Sequence, residues 1–180
     1  SEEEQIAGLL HDVSHTAFSH MIDWVVGSGV TEDYQDEQHA EYVMRSEIPA
    51  ILHKYGYSAD RVTDYHHFGL LERDLPDLCA DRIDYSLREL PADIIALCEP
   101  SLVAHGGRIV FDNREAASVF AKSFLNLQHV VWAGPETSAR CRVFADILRL
   151  AVREKIVTMD DFWQDDSYVI GTLLASENER

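Results

Sequence analysis

The chain has 180 residues, enough for one domain with a real core, and 46% of them are hydrophobic, which excludes a disordered chain. Its 32 acidic residues against 15 Lys and Arg leave a formal net charge of −17; phosphate backbones select basic grooves, so a general nucleic-acid binder is excluded. Apolar runs are short, as in Ile94-Ile95-Ala96-Leu97-Cys98, far from the roughly 20 residues a membrane span needs.

In chain order, Ile6, Leu9 and Leu10 follow an acidic start at helical spacing, and that helix is expected to run through His11-Asp12 to Trp24 and Val25. The start has none of the basic-then-apolar order of a signal peptide. Val26-Gly27-Ser28-Gly29 ends the helix, and the polar, acidic residues 31–38 read as a loop. His39 opens the next helix. Ile48 to Tyr55 is a short one stopped by Gly56, and Ser58 caps residues 59–68. Leu78 to Leu90 is helical. The strand signal is Gly106 to Asn113, a small hairpin. A long helix follows from Arg114 to Trp132, broken by Gly134-Pro135. Another runs from Thr137 to about Lys155. Thr158-Met159-Asp160-Asp161 caps the next segment, and a final helix lies near Ser167 to Ser176. No repeat, low-complexity linker or domain boundary is visible. The expectation is a single all-α domain over residues 1–180 with at most one small hairpin.

Cys79, Cys98 and Cys141 are odd in number, far apart and without a CxxC pair. They read as reduced thiols packed as small apolar residues, which suits a cytoplasmic protein. Trp24, Trp132 and Trp163 read as core rings rather than base-stacking platforms.

The chemistry concentrates in Leu10-His11-Asp12-Val13-Ser14-His15-Thr16-Ala17-Phe18-Ser19-His20. His11 and His15 share a face on a regular helix, with Asp12 at its edge. Imidazole nitrogen and carboxylate oxygen together suit a divalent cation: Mn, Mg, Fe, Ni or Zn. The plainer reading is packed, hydrogen-bonded histidines. Burying four such groups with no ion or polar network would cost roughly 1–3 kcal/mol each, which favours a site. In the second segment, Asp81, Tyr85 and Arg88 fall on one helix face beside Asp84. By itself this segment is an amphipathic helix with a solvated charged face.

The two segments together, HD-x-x-H-x-x-x-S-H and a distant D-R-x-D-Y, resemble the HD-domain metal-dependent phosphohydrolases, in the branch that includes deoxynucleoside triphosphate triphosphohydrolases. The resemblance is strong over 6–24 and 78–89, weaker over 39–44 and at Gln164-Asp165-Asp166. It implies an all-α HD helical bundle and hydrolysis of a phosphoester in a nucleotide or related small molecule. His11, Asp12 and Asp81 would be metal ligands. His15 would stand near the phosphate and the attacking water, and His39 would be a candidate general acid. Arg82, Tyr85 and, on the later helix, Lys122 would hold substrate, while His20 would brace neighbouring segments. Such enzymes often assemble, so a homo-oligomer is compatible.

Two departures accompany the resemblance. The family's first histidine ligand precedes the HD pair on an earlier helix, and none of the ten residues before His11 is histidine. The expectation is a chain lacking its N-terminal helix or helices; the alternative is that His66, His67 or a water fills the place. The helix from Ala117 to Trp132 is also poor in basic residues, which weakens a triphosphate assignment. The competing function is a non-catalytic nucleotide-binding or oligomerising HD module with an incomplete metal site.

Overall fold

The computed structural model describes residues 1–27 and 33–176, with the side chain of His66 outside that description. Ser28, Gly29 and the first residues of the expected 31–38 loop lie outside the described residues. The expected architecture is present: helices throughout, with one two-stranded sheet among the described residues. The helices are α1 (Glu2–Leu10), α2 (Met21–Val26), α3 (Tyr34–Met44), α4 (Ile48–Lys54), α5 (Ala59–Thr63), α6 (Ala80–Arg88), α7 (Ala92–Cys98), α8 (Arg114–Leu127), α9 (Pro135–Arg153) and α10 (Asp166–Ala175). Strands β1 (Leu102–His105) and β2 (Arg108–Phe111) form the hairpin between α7 and α8. Among the described residues no helix is long and apolar enough to cross a membrane.

The chain divides into two compact units. Unit 1 comprises Ser1–His11 and Ile48–Pro135; unit 2 comprises Asp12–Glu47 and Glu136–Arg180.

In unit 1, α1 starts from a reciprocal cap: the Ser1 hydroxyl accepts from the Glu4 amide at 3.1 Å while Glu4 reaches back to the Ser1 backbone. Ala7 of α1 packs with Leu52, Val62, Tyr65, Phe68 and Leu71 in one apolar cluster. Gly8 lets Leu71 approach; a Cβ there would lie 3.3 Å from its Cδ1. A second cluster joins Ile83, Cys98, Ala116 and Phe120 beneath the hairpin. The hairpin pairs Leu102 with Phe111 and His105 with Arg108. Both turn residues have positive φ, Gly106 at +57° and Gly107 at +73°, as a two-residue turn of this hand requires. The sequence signal at 106–113 thus marked the turn and second strand. β1 and α7 carried no separate cue, since Ile94 to Cys98 reads only as a short apolar run. After α8 the chain widens by one turn over Gln128–Trp132 and stops at Gly134, where any Cβ would meet the Val130 carbonyl oxygen at 2.5 Å.

Unit 2 is built around Ile22, Ala145, Leu148, Val157, Phe162 and Val169, all essentially sealed from solvent. Two expectations fail here. The first is the continuous helix to Trp24: α1 ends at Leu10 and residues 11–20 run through successive turns before α2. Three of their backbone amides find partners far along the chain: Thr16 donates to the Gln35 side chain (2.8 Å), Ala17 to the Phe162 carbonyl (2.7 Å) and Phe18 to the Asp166 carboxylate (2.8 Å). Phe18 and Ser19 adopt positive φ, +62° and +51°. The second is the loop at 31–38: α3 occupies it from Tyr34, with Gln35, His39 and Val43 at helical spacing on the buried side.

Thr158 and Asp161 form the expected cap of a 3-10 turn, Met159–Trp163. The Thr158 amide (2.6 Å) and then its hydroxyl (2.8 Å) hold the Asp161 carboxyl below the usual carboxylate range. A depressed folded-state pKa adds stability that is fully present above the ordinary Asp value near pH 4 and is lost as pH falls through the lower folded value. Asp161→Asn should therefore be less stable than wild type near neutrality, with the gap closing on acidification. Urea midpoints from about pH 6 to about pH 3 measure this; a gap constant with pH would refute it.

Candidate metal centre

His11 is the C-cap of α1. Its Nδ1 lies 2.8 Å from the Gly8 carbonyl oxygen, which can only accept, so Nδ1 carries the proton and donates. Its Nε2 faces Asp81 Oδ1 at 3.2 Å. Either a second proton makes that ring an imidazolium paired with the carboxylate, or lone pair and carboxylate share a cation. Two ligand atoms each about 2.1 Å from one ion and at right angles stand about 3 Å apart, so the spacing of this pair is compatible with a shared ion.

Asp81 is held by unit 1. It is the second residue of α6, whose N-cap Cys79 accepts the Arg82 amide on its sulfur at 3.4 Å. The segment before α6 is pinned by Ala80 N–H to the Leu70 carbonyl (2.7 Å) and Asp81 N–H to that of Leu71 (3.3 Å). Burial pushes the Cys79 thiol up, so it is a packed cap rather than a ligand. Asp12 is bonded directly to His11, and covalent geometry sets it alongside. One ligand atom from each of His11, Asp12 and Asp81 lies within 4.8 Å of the others. The donor set, one imidazole and two carboxylates, suits Mn, Mg, Fe, Ni or Zn and does not choose among them.

Within unit 2, His15 Nε2 lies 3.4 Å from Asp12 Oδ1, and its ring meets that of His20 edge-on at 5.2 Å. His39 is 2% exposed, with Nδ1 2.9 Å from the Ser14 hydroxyl. Four further polar side chains here escaped the sequence reading: Ser14, Thr16, Gln35 and Asp23, all buried. Gln35 bridges the Thr16 amide and His20 Nδ1, the latter at 3.4 Å. Asp23 Oδ1 accepts the first amide of α3, from Tyr34, at 3.0 Å. For Asp23 and Gln35, on α2 and α3, the one sequence signal is a polar residue where the helix period calls for an apolar one.

The three substrate-binding candidates lie in unit 1. Arg82 donates through Nη1 to the Asp77 carbonyl (2.6 Å) and through Nη2 to that of Arg73 (3.0 Å), so its guanidinium ties the 73–77 loop to α6. Tyr85 packs edge-on against Trp132 at 5.1 Å, and burial pushes its phenol up. Lys122 is exposed on α8. His67 pairs with Asp64 at 2.8 Å on the surface.

No protein-family model matches the chain, and no solved structure matches it. Two curated proteins do. An uncharacterized protein YdhJ of Bacillus subtilis is 39% identical over 184 residues, covering 98% of this chain and 56% of that protein. The metal-dependent phosphohydrolase cns2 of Cordyceps militaris is 31% identical over 145 residues, covering 74% of this chain and 42% of that protein. The chain thus spans about half the length of the curated relatives it matches.

Proposed function

We propose that this chain is the metal-binding part of an HD-type metal-dependent phosphohydrolase acting on a small phosphorylated molecule, a nucleotide or a close relative of one. The observation that carries this reading is His11 Nε2 facing Asp81 Oδ1 at 3.2 Å while the opposite ring nitrogen is committed to the Gly8 carbonyl, with Asp12 next in the chain. The similarity to cns2, whose name gives the same class of activity, supports it. A divalent cation held there would acidify a bound water and polarise a phosphoryl oxygen. Asp12 holds His15 by one nitrogen, so that ring is oriented to accept or release a proton beside Asp12. Ser14 orients His39 in the same way, for the leaving oxygen. Tyr85 offers an apolar wall and Lys122 a counter-charge for phosphate, while Arg82 acts by holding the loop that precedes Asp81.

A second reading, a nucleotide-binding module without turnover, is favoured by the burial of His39 and by the committed guanidinium of Arg82. One experiment separates them. The purified chain is assayed for metal by elemental analysis and for hydrolysis across a phosphoester panel with Mn, Mg, Fe, Ni and Zn, beside Asp12→Ala. Hydrolysis requires near-stoichiometric metal, turnover in wild type and loss of both in the variant with unchanged circular dichroism. Metal with no turnover on any ester supports the binding module, and wild-type turnover by Asp12→Ala would sink the metal assignment.

A further inference from the structure

Helix α3 has two working faces. Gln35, His39 and Val43 go into the core of unit 2. Tyr34, Gln38 and Tyr42, one turn apart, line a cavity of about 420 Å³ in the same unit, closed on another side by Trp163. That volume is in the range of small-molecule sites. None of the metal-centre residues lines it.

Its walls are chemically specific. The Tyr42 and Trp163 rings are stacked, centroids 5.3 Å apart and 22° from parallel. Both are only half-buried, so part of the pair's aromatic surface is left against solvent. Trp163 closes the 3-10 turn that the Thr158–Asp161 cap locks, which presets the wall. The side-chain amide of Gln38 makes no hydrogen bond among the described residues, so a donor and an acceptor stand side by side at the edge of that wall. The charged lining groups, Glu41 and Arg45, neutralise each other at 2.8 Å on the exposed rim, which leaves no net charge to hold an anion.

We propose that this cavity is a binding site for an uncharged planar nitrogen heterocycle, stacked on the Tyr42–Trp163 pair and read along one edge by Gln38. An adenine-like ring fits the description: its neighbouring amino donor and ring-nitrogen acceptor match a glutamine amide two-for-two. Aromatic platforms hold bases by their π faces whatever the sugar carries. The proposal goes beyond phosphoester hydrolysis and does not depend on it, since neither metal nor a phosphate takes part.

The test is a nuclear magnetic resonance titration of the full chain, metal-free, with adenosine as probe and ribose 5-phosphate as the ring-less comparator. The Trp163 indole signal is assigned by its disappearance in Trp163→Phe. Adenosine should shift the Trp163 indole and the Gln38 side-chain amide, and ribose 5-phosphate should shift neither. Gln38→Ala, a partly exposed helix position where alanine is the better helix former, should weaken adenosine about tenfold. Trp163→Leu should abolish saturable binding. The site does not exist as described if millimolar adenosine leaves both signals in place, if affinity is unchanged in either variant, or if ribose 5-phosphate competes equally.

Discussion

Asp81→Ala is expected to strip the chain of its divalent metal and lower phosphoester turnover by on the order of a thousandfold or more. The argument begins with the His11 ring. Gly8 fixes its Nδ1 as donor, so Nε2 is the nitrogen available to a cation, and the atom it faces is Asp81 Oδ1. Removing that carboxylate takes away a ligand charge and leaves His11 with Asp12 alone, too few ligands to hold an ion against water. The fold should survive. Asp81 is partly exposed, the N-cap Cys79 is untouched, and alanine suits the first turn of α6. Asp81→Asn refines the result: it keeps an oxygen in place but not the charge, so metal loss in both variants would identify charge as the requirement. The measurement is elemental analysis paired with kcat/KM. Full metal stoichiometry in Asp81→Ala would refute the site.

Phe162→Ala is expected to have the largest effect on stability, about 3–5 kcal/mol. Phe162 is 1% exposed at the centre of the unit 2 core and is the largest of its fully buried side chains. It touches function through its backbone as well, because its carbonyl accepts the Ala17 amide at 2.7 Å and so helps hold the irregular stretch that carries His15. Truncation leaves a cavity that surrounding helices cannot collapse to fill. Urea denaturation followed by circular dichroism reads the shift. A loss below about 1 kcal/mol would mean that this core is looser than its burial implies.

Much of this could be seen in the sequence, and the reasons for the exceptions are physical. Helices with an apolar stripe and a boundary residue, such as α4 ending before Gly56 or α9 opening at Pro135 behind Gly134, follow from periodicity and backbone freedom alone. The break after Leu10 does not. Phe18 and Ser19 are neither glycine nor asparagine, yet both sit at positive φ because distant groups, the Phe162 carbonyl and the Asp166 carboxylate, bind the local amides. The first turn of α3, before the expected start at His39, was hidden because Gln35 on its core face is polar and breaks the apolar period. His11 and Asp81 could be paired through family resemblance. The commitment of Arg82 to two backbone carbonyls could not, since a basic residue at a motif position gives no hint of what it binds.

The backbone adds its own electrostatics to the pairing of His11 with Asp81. His11 closes α1 at the negative end of its helix dipole, and the last turn of α1 carries no basic side chain to oppose it. Asp81 stands in the first turn of α6, at the opposite, positive end of a helix dipole, whose leading amides are taken by Leu70, Leu71 and Cys79. The carboxylate therefore stands at a helix end that favours negative charge, while the imidazole stands at a helix end that attracts cations. Neither preference depends on an ion being present. If a cation is held there as proposed, it would come and go without the scaffold having to change charge, and its affinity would be tunable by residues in the last turn of α1 that never touch the ion.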